Sequence, residues 1–262
     1  ELLRDRGLPL TLKTVAVTIN KHEVWDMQRF AEDELGVPFR FDAMMNPRID
    51  CSLSPLAVRL SPEECVEFDV RDQERTAEWH TFASEFQGPV HTPDTEGQLY
   101  HCGGGVDTFA INPYGEMTIC TLSQQDRYDL RQGTFLDGWN SFLGDIRVNR
   151  RATRPTKCVS CELKAMCGMC PANGELEHGD AETPVDFLCE VAHLRAHVLG
   201  LPIPRHGTCE FCEGGSRFAD VRAAAERLRA LDQSKPSGLG RRLTVINAVA
   251  SPSGGCGSCH HS

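Results

Sequence analysis

The stretch "CVSCELKAMCGMC", residues 158–170, places four cysteines in thirteen residues. Thiolate sulfur is a soft donor suited to zinc and to iron–sulfur clusters, and a pair of thiols can instead close a disulfide. The whole chain has 262 residues and thirteen cysteines: Cys51, Cys65, Cys102, Cys120, Cys158, Cys161, Cys167, Cys170, Cys189, Cys209, Cys212, Cys256 and Cys259. The count is odd. The start, "ELLRDRGLPLTLK", has neither a basic n-region nor an apolar h-region. Both features argue against a disulfide scaffold and for reduced thiolates that hold metal in a reducing cytoplasm.

Two Cys-x2-Cys steps close together suggest zinc first. A structural zinc takes four ligands, yet seven cysteines lie between 102 and 189: Cys102, Cys120, Cys158, Cys161, Cys167, Cys170 and Cys189. Seven does not divide into zinc tetrads. It does divide into one complete four-cysteine site and one site with three protein ligands. Iron–sulfur clusters take cysteine thiolates, and short Cys-x2-Cys steps let one loop wrap several corners of a cluster. The spacing therefore favours clusters over zinc.

The order is Cys102, twelve residues, Gly115, four residues, Cys120, then Cys158-x2-Cys161-x5-Cys167-x2-Cys170, and finally Cys189. It resembles the SPASM domain, the auxiliary-cluster module that follows the barrel of many radical S-adenosylmethionine enzymes. The likeness covers about 90 residues. One step departs from the family pattern: two residues, Gly168 and Met169, separate the last two tetrad cysteines, where the family has three. The resemblance implies two [4Fe-4S] clusters. Cys102, Cys120 and Cys170 would hold the first; Cys158, Cys161, Cys167 and Cys189 would hold the second. It implies a peptide or protein substrate and an electron donor of flavodoxin or ferredoxin type. Sulfatase-maturing relatives carry an Asp after the cysteine of the Gly-x4-Cys step; Thr121 stands there in this chain, which disfavours that activity.

These residues need elements to position them. "LTLKTVAVTI", 10–19, is rich in β-branched residues and reads as a buried, parallel strand. In "KHEVWDMQRFAEDELG", 21–36, Val24, Met27, Phe30 and Ala31 recur at helical spacing, and Gly36 is a stop signal. "VPFRFDAMM", 37–45, returns as a strand. Strand, helix, strand is a βαβ unit. Ser61, Pro62 and Glu64 open a further helix with a capping box, with Cys65 inside it. Cys51 and Cys65 read as small apolar residues outside the metal pattern. "DTFAINPYGEMTIC", 107–120, reads as a hairpin about "NPYG". A helix begins at Cys189.

The expected fold class is α/β followed by α+β: residues 1–85 resemble the C-terminal portion of a partial (β/α)6 radical S-adenosylmethionine barrel, 86–200 the SPASM domain, and 201–262 form a small helical extension. In such a barrel Asn20, past a strand end, and Arg40, on the next strand, would lie near the mouth that binds the cofactor. The radical-generating Cys-x3-Cys-x2-Cys occurs nowhere in the 262 residues. S-adenosylmethionine and a third [4Fe-4S] cluster are thus expected only in a longer enzyme or from a partner subunit, and a start partway through a helix suggests a longer chain.

The extension carries Cys209-x2-Cys212, the amphipathic "RFADVRAAAERLRALD" with Phe218, Val221, Ala225 and Leu228 on one stripe, and the Gly/Ser-rich end "SPSGGCGSCHHS" with Cys256 and Cys259. The two pairs could form a zinc site with His206, His260 or His261, a redox dithiol, or, at the end, a substrate-like tail. The net charge of −10 without a basic block argues against nucleic acid and anionic membrane as partners. No apolar run reaches the roughly 18–20 residues of a membrane span. Two functions of different class follow: part of a radical peptide-modifying enzyme, or a non-catalytic iron–sulfur or zinc module for electron transfer or binding.

Overall fold

The computed structural model describes residues 2–88, 97–163 and 165–238. They form two compact units: residues 2–13, 22–40 and 236–238 in one, and 14–21 and 41–235 in the other. Cys256, Cys259, His260 and His261 lie outside the described residues. No helix among the described residues is long and apolar enough to cross a membrane.

The chain opens with a short helix, α1 (Leu2–Asp5), and the strand β1 (Leu12–Val15). Helix α2 (Val24–Arg29) continues into a π-helical turn, Phe30–Glu34, and the chain leaves it at Gly36, whose φ of 65° suits a residue without a Cβ. In the smaller unit the Asp26 carboxylate on α2 accepts hydrogen bonds from Ser237 Oγ and the Gly238 amide, both at 2.8 Å. Strand β2 (Phe39–Asp42) pairs with β1. The Leu12 amide donates to the Pro38 carbonyl and the Ala16 amide to the Asp42 carbonyl. Both partners advance by four residues together, so the strands run parallel. β1 is shorter than its apolar run, and it alternates half-buried and exposed positions instead of being buried throughout. Ala16 and Val17 leave the strand and are buried in the turn that follows.

Helix α3 (Pro62–Arg71) starts as its sequence predicts. Ser61 Oγ accepts from the Glu64 amide at 3.2 Å, and the Glu64 carboxylate accepts from the Ser61 amide at 2.8 Å. Helix α4 (Gln73–Phe86) follows at once, with Asp72 as its N-cap. Strands β3 (Ala110–Ile111), β4 (Glu116–Thr118) and β5 (Tyr128–Asp129) form an antiparallel sheet in that order. The β3–β4 turn is "NPYG". Asn112 Oδ1 accepts from the amides of Tyr114 and Glu116, at 2.9 and 3.0 Å, and Gly115 takes the left-handed φ of 77°. Beneath the sheet, Tyr100, Met117, Ile119, Leu143 and Ile146 form one core. A helical segment supplies two of them: α5 (Phe135–Asp137), a π-helical stretch Gly138–Leu143, and α6 (Gly144–Asn149).

Helix α7 (Pro171–His178) begins directly after Cys170. Helix α8 (Asp186–Val198) is buried on almost every face from Leu188 to Ala196, and it packs on both α3 and α9 (Phe218–Arg229). On α9 the buried stripe is Val221, Ala224, Ala225 and Leu228. A second core joins Leu163, Ala165 and Met166 of the tetrad loop to Ala192 and Ala196 of α8 and Ala83 of α4.

Candidate metal centre

The seven cysteines between 102 and 189 lie in the larger unit and come from four places. Cys102 precedes the β-sheet, Cys120 follows β4, the tetrad runs through the loop into the N-cap of α7, and Cys189 sits in the first turn of α8. Burial is the main force on the acidity of four of them. It pushes the Cys158 and Cys170 thiols up, Cys167 up to about 12, and Cys189 strongly up. Cys170 feels the charge of Cys120 and Cys102. Cys167 feels Cys161 and Cys158, and Cys189 feels Cys167, Cys158 and Cys209.

Backbone amides point at these sulfurs. The Ser123 amide donates to Cys120 Sγ, Leu163 to Cys161 Sγ and Met169 to Cys167 Sγ, each at 3.4 Å. Cys170 receives the Asn173 and Ala172 amides at the start of α7. Such donors favour the thiolate, the form that binds metal. A cavity of about 320 Å³ is bounded by Cys102, Cys158, Cys161, Cys167, Cys170 and Cys189. Lys157 is at its edge. Its ammonium bonds Asp186 Oδ1 at 2.8 Å and Glu210 Oε1 at 2.7 Å, and it lies within reach of the Cys189 charge.

Supporting bonds hold this frame. Glu175 of α7 is buried. Its carboxylate accepts from Ser123 Oγ at 3.1 Å and the Gln124 amide at 2.8 Å, which ties α7 to the loop after Cys120. Arg195 of α8 donates to Asp69 Oδ2 of α3 at 2.9 Å and to the Met166 carbonyl of the tetrad loop at 3.0 Å, with the Trp79 ring 3.9 Å from its guanidinium carbon.

A tighter group adjoins the cavity. Ligand atoms of His193, His206, Cys209 and Cys212 all lie within 4.8 Å of one another, and all four residues are buried. Among the described residues no other set of three or more His, Cys, Asp or Glu side chains converges this closely. His193 Nε2 stands 3.5 Å from Cys209 Sγ and 3.5 Å from Cys212 Sγ. Its Nδ1 is 2.7 Å from the Cys189 carbonyl, which can only accept, so Nδ1 carries a proton and Nε2 is the nitrogen that faces the thiols. His206 lies differently: its Nδ1 is 3.0 Å from the Pro204 carbonyl, and Cys212 Sγ is 3.4 Å from Nδ1 and 3.9 Å from Nε2. Burial opposes ionisation of the Cys209 thiol, but bonds from His193, His206 and the Phe211 amide outweigh it and hold the thiol well below its usual range. Bonds to Cys161 and Cys209 push the His206 imidazole up to about 11. This group of side chains is able to bind a metal ion.

Sequence reading supplied Cys209, Cys212 and His206 and missed His193. The missing signal was "CEVAH": Cys189 and His193 are four apart on a helix and so share a face. Other expected residues fall elsewhere. Asn20 spends its side chain on its own turn, accepting from the Val17 amide at 2.8 Å and donating to the Val15 carbonyl at 3.0 Å. Arg40 is an exposed residue of β2. Cys65 is buried, donates to the Ala43 carbonyl at 3.0 Å, and is pushed by burial up to about 12, as an inert core thiol should be. Cys51 is exposed, not packed, with a left-handed φ of 63°. Thr121 is exposed. No family model, curated protein or solved structure matches the chain.

Proposed function

We propose that this chain is the auxiliary iron–sulfur part of a radical enzyme that modifies a peptide or protein. Two four-iron clusters would be held by Cys102, Cys120 and Cys170 and by Cys158, Cys161, Cys167 and Cys189. The observation that supports the reading is one cavity lined by six of the seven cysteines, Cys102, Cys158, Cys161, Cys167, Cys170 and Cys189. The residues fit the group. The donors are soft and several accept backbone N–H bonds, a feature that tunes cluster potential. Cysteines around a cube stand further apart than ligands around one ion, in keeping with sulfurs that share a cavity without converging to 4.8 Å. A cluster supplies one-electron transfer, and one with three protein ligands has an iron open to substrate. The chain's own part is to supply the thiols, aim backbone N–H groups at three of them and place Lys157 at the cavity's edge. A small electron donor of flavodoxin or ferredoxin type is the matching partner.

Anaerobic reconstitution with iron and sulfide is the test. The expected content is about eight irons per chain, with electron paramagnetic resonance of reduced four-iron clusters. Cys189→Ser should remove one cluster and Cys170→Ser weaken the other. A product with zinc but no iron, and no charge-transfer colour, would sink the reading. The buried His2Cys2 group favours a second, coarser reading, a non-catalytic metal-binding module. The two part on whether the chain, supplied with a radical-generating partner or domain, supports turnover of a peptide.

A further inference from the structure

We propose that His193, His206, Cys209 and Cys212 hold a single zinc ion in a structural centre at the wall of the cysteine-lined cavity, with ligands distinct from the seven cysteines between 102 and 189. Geometry selects one ion. A tetrahedron with Zn–S of about 2.3 Å and Zn–N of about 2.0 Å has edges of about 3.3–3.8 Å. His193 Nε2 is 3.5 Å from each sulfur, and Cys212 Sγ is 3.4 Å from the nearer ring nitrogen of His206, Nδ1, and 3.9 Å from Nε2. A two-iron cluster with two histidines and two cysteines is excluded, because it binds histidines to one iron and cysteines to the other. That separates nitrogen from sulfur, whereas His193 Nε2 is equally close to both thiols. Charge selects a divalent ion: two thiolates and two neutral imidazoles around Zn²⁺ sum to zero, which a buried site tolerates.

The surroundings are those of a metal site. His193 donates its second ring nitrogen to the Cys189 carbonyl, the outer bond that fixes tautomer and aim in metal-bound histidine, and His206 Nδ1 lies 3.0 Å from the Pro204 carbonyl. Phe211, between the two cysteines, is fully buried and lies 5.5 Å from the His193 ring, closing the site to solvent. Four protein ligands leave no open position, so the ion does no chemistry. Its task is mechanical. It joins α8, through His193, to the segment 206–212, and that segment leads into α9. The inference does not depend on clusters in the neighbouring cavity, since none of its four ligands belongs to the seven-cysteine set.

The test is metal content by mass spectrometry on the whole chain, with zinc and iron counted together. The expected result is one zinc per chain in the parent and in Cys158→Ser and Cys189→Ser, and loss of that zinc in Cys209→Ser and His193→Ala with iron largely retained. Since loss of zinc could follow from misfolding, His193→Cys serves as control. It keeps four tetrahedral ligands and should keep the zinc, while its X-ray absorption changes from two sulfurs and two nitrogens to three and one. Zinc retained in Cys209→Ser, zinc lost in Cys158→Ser but not in Cys209→Ser, or a Cys209–Cys212 disulfide in the anaerobic parent would each overturn the proposal. Absence of iron with zinc intact would count against the cluster reading alone.

Discussion

Arg195 is a full charge sealed inside the larger unit: its side chain is 5% exposed, and that of its partner Asp69 is 4% exposed. The pair links α8 to α3, and the same guanidinium holds the Met166 carbonyl between Cys161 and Cys167. Asp69 also takes Arg75 Nη2 at 2.9 Å, so removing Arg195 leaves the buried carboxylate short of one bond, a loss of about 1–3 kcal/mol. Arg195→Met should therefore destabilise the chain by that amount in urea unfolding, and Asp69→Asn added to it should recover part of the loss. Gly215 is a second sensitive position. A Cβ there would stand 2.3 Å from the Glu210 carbonyl oxygen and 2.7 Å from that of Cys209. Gly215→Ala should push the Cys209–Cys212 loop off its course and weaken metal binding by about 10–100-fold, as loss of groups that orient ligands does, read by chelator competition. Asp180 gives a pH signature. Bonds from Thr183, Arg154 and the Glu182 amide hold its carboxyl down to about 2 against an ordinary value of 3.8. A depressed acid stabilises the fold above the unfolded value, and that contribution fades as pH falls from about 4 toward 2. Asp180→Asn should flatten the acid limb of stability in that window, followed by circular dichroism. At this scale the cysteines were legible because sulfur is rare and its spacing is periodic. His193 was not, because one histidine on an apolar helix face carries no pattern of its own. Asn20, past a strand end, bonds the Val17 amide and the Val15 carbonyl of its own turn, a local use that the sequence pattern does not separate from a site.

Capped, strongly patterned elements were the readable ones. Ser61-Pro62-x-Glu64 announced α3, and the structure has both bonds of the box. Ser61→Ala should lower stability by about 1 kcal/mol with the fold unchanged, measured as a shift of the urea midpoint at constant slope. The "NPYG" hairpin was legible from Pro and Gly chemistry, and the stripe of α9 from its period. The π-helical turns at Phe30–Glu34 and Gly138–Leu143 left no mark in sequence, since a register shift of one hydrogen bond depends on what packs outside the helix. The length of β1 was overread for a similar reason. An apolar run reports burial, and burial of Ala16 and Val17 is met by a turn as well as by a strand.

At the scale of the molecule, the extension expected at 201–262 does not stand alone over its described residues. Helix α9 packs on α8 and α3, and Arg217 binds the Glu190 carboxylate of α8 through both oxygens at 3.0 Å. The chain changes character at residue 201, and the packing of α9 on α8 runs across that change. Stability should accordingly be linked to metal across the larger unit. An ion held at about a thousandfold above its dissociation constant adds about 4 kcal/mol, which in a chain of this size is roughly 10 °C of thermal midpoint. Prolonged chelation should lower the calorimetric midpoint by that order in one cooperative transition, and Cys209→Ser should show no such response.

Helix α8 carries Cys189 on the cavity and His193 on the adjoining group, and the His193 ring is tethered to the Cys189 carbonyl. Four residues of α-helix separate them by about 6 Å along the axis and about 40° around it. The helix is thus a gauge with two jaws at fixed pitch. An ion too large or of the wrong geometry at one jaw rotates the other out of true, so mismetallation would not stay silent where it occurred. It would be read out as a misaligned thiolate at the neighbouring wall, and a wrongly loaded chain would declare itself before it was ever asked to work.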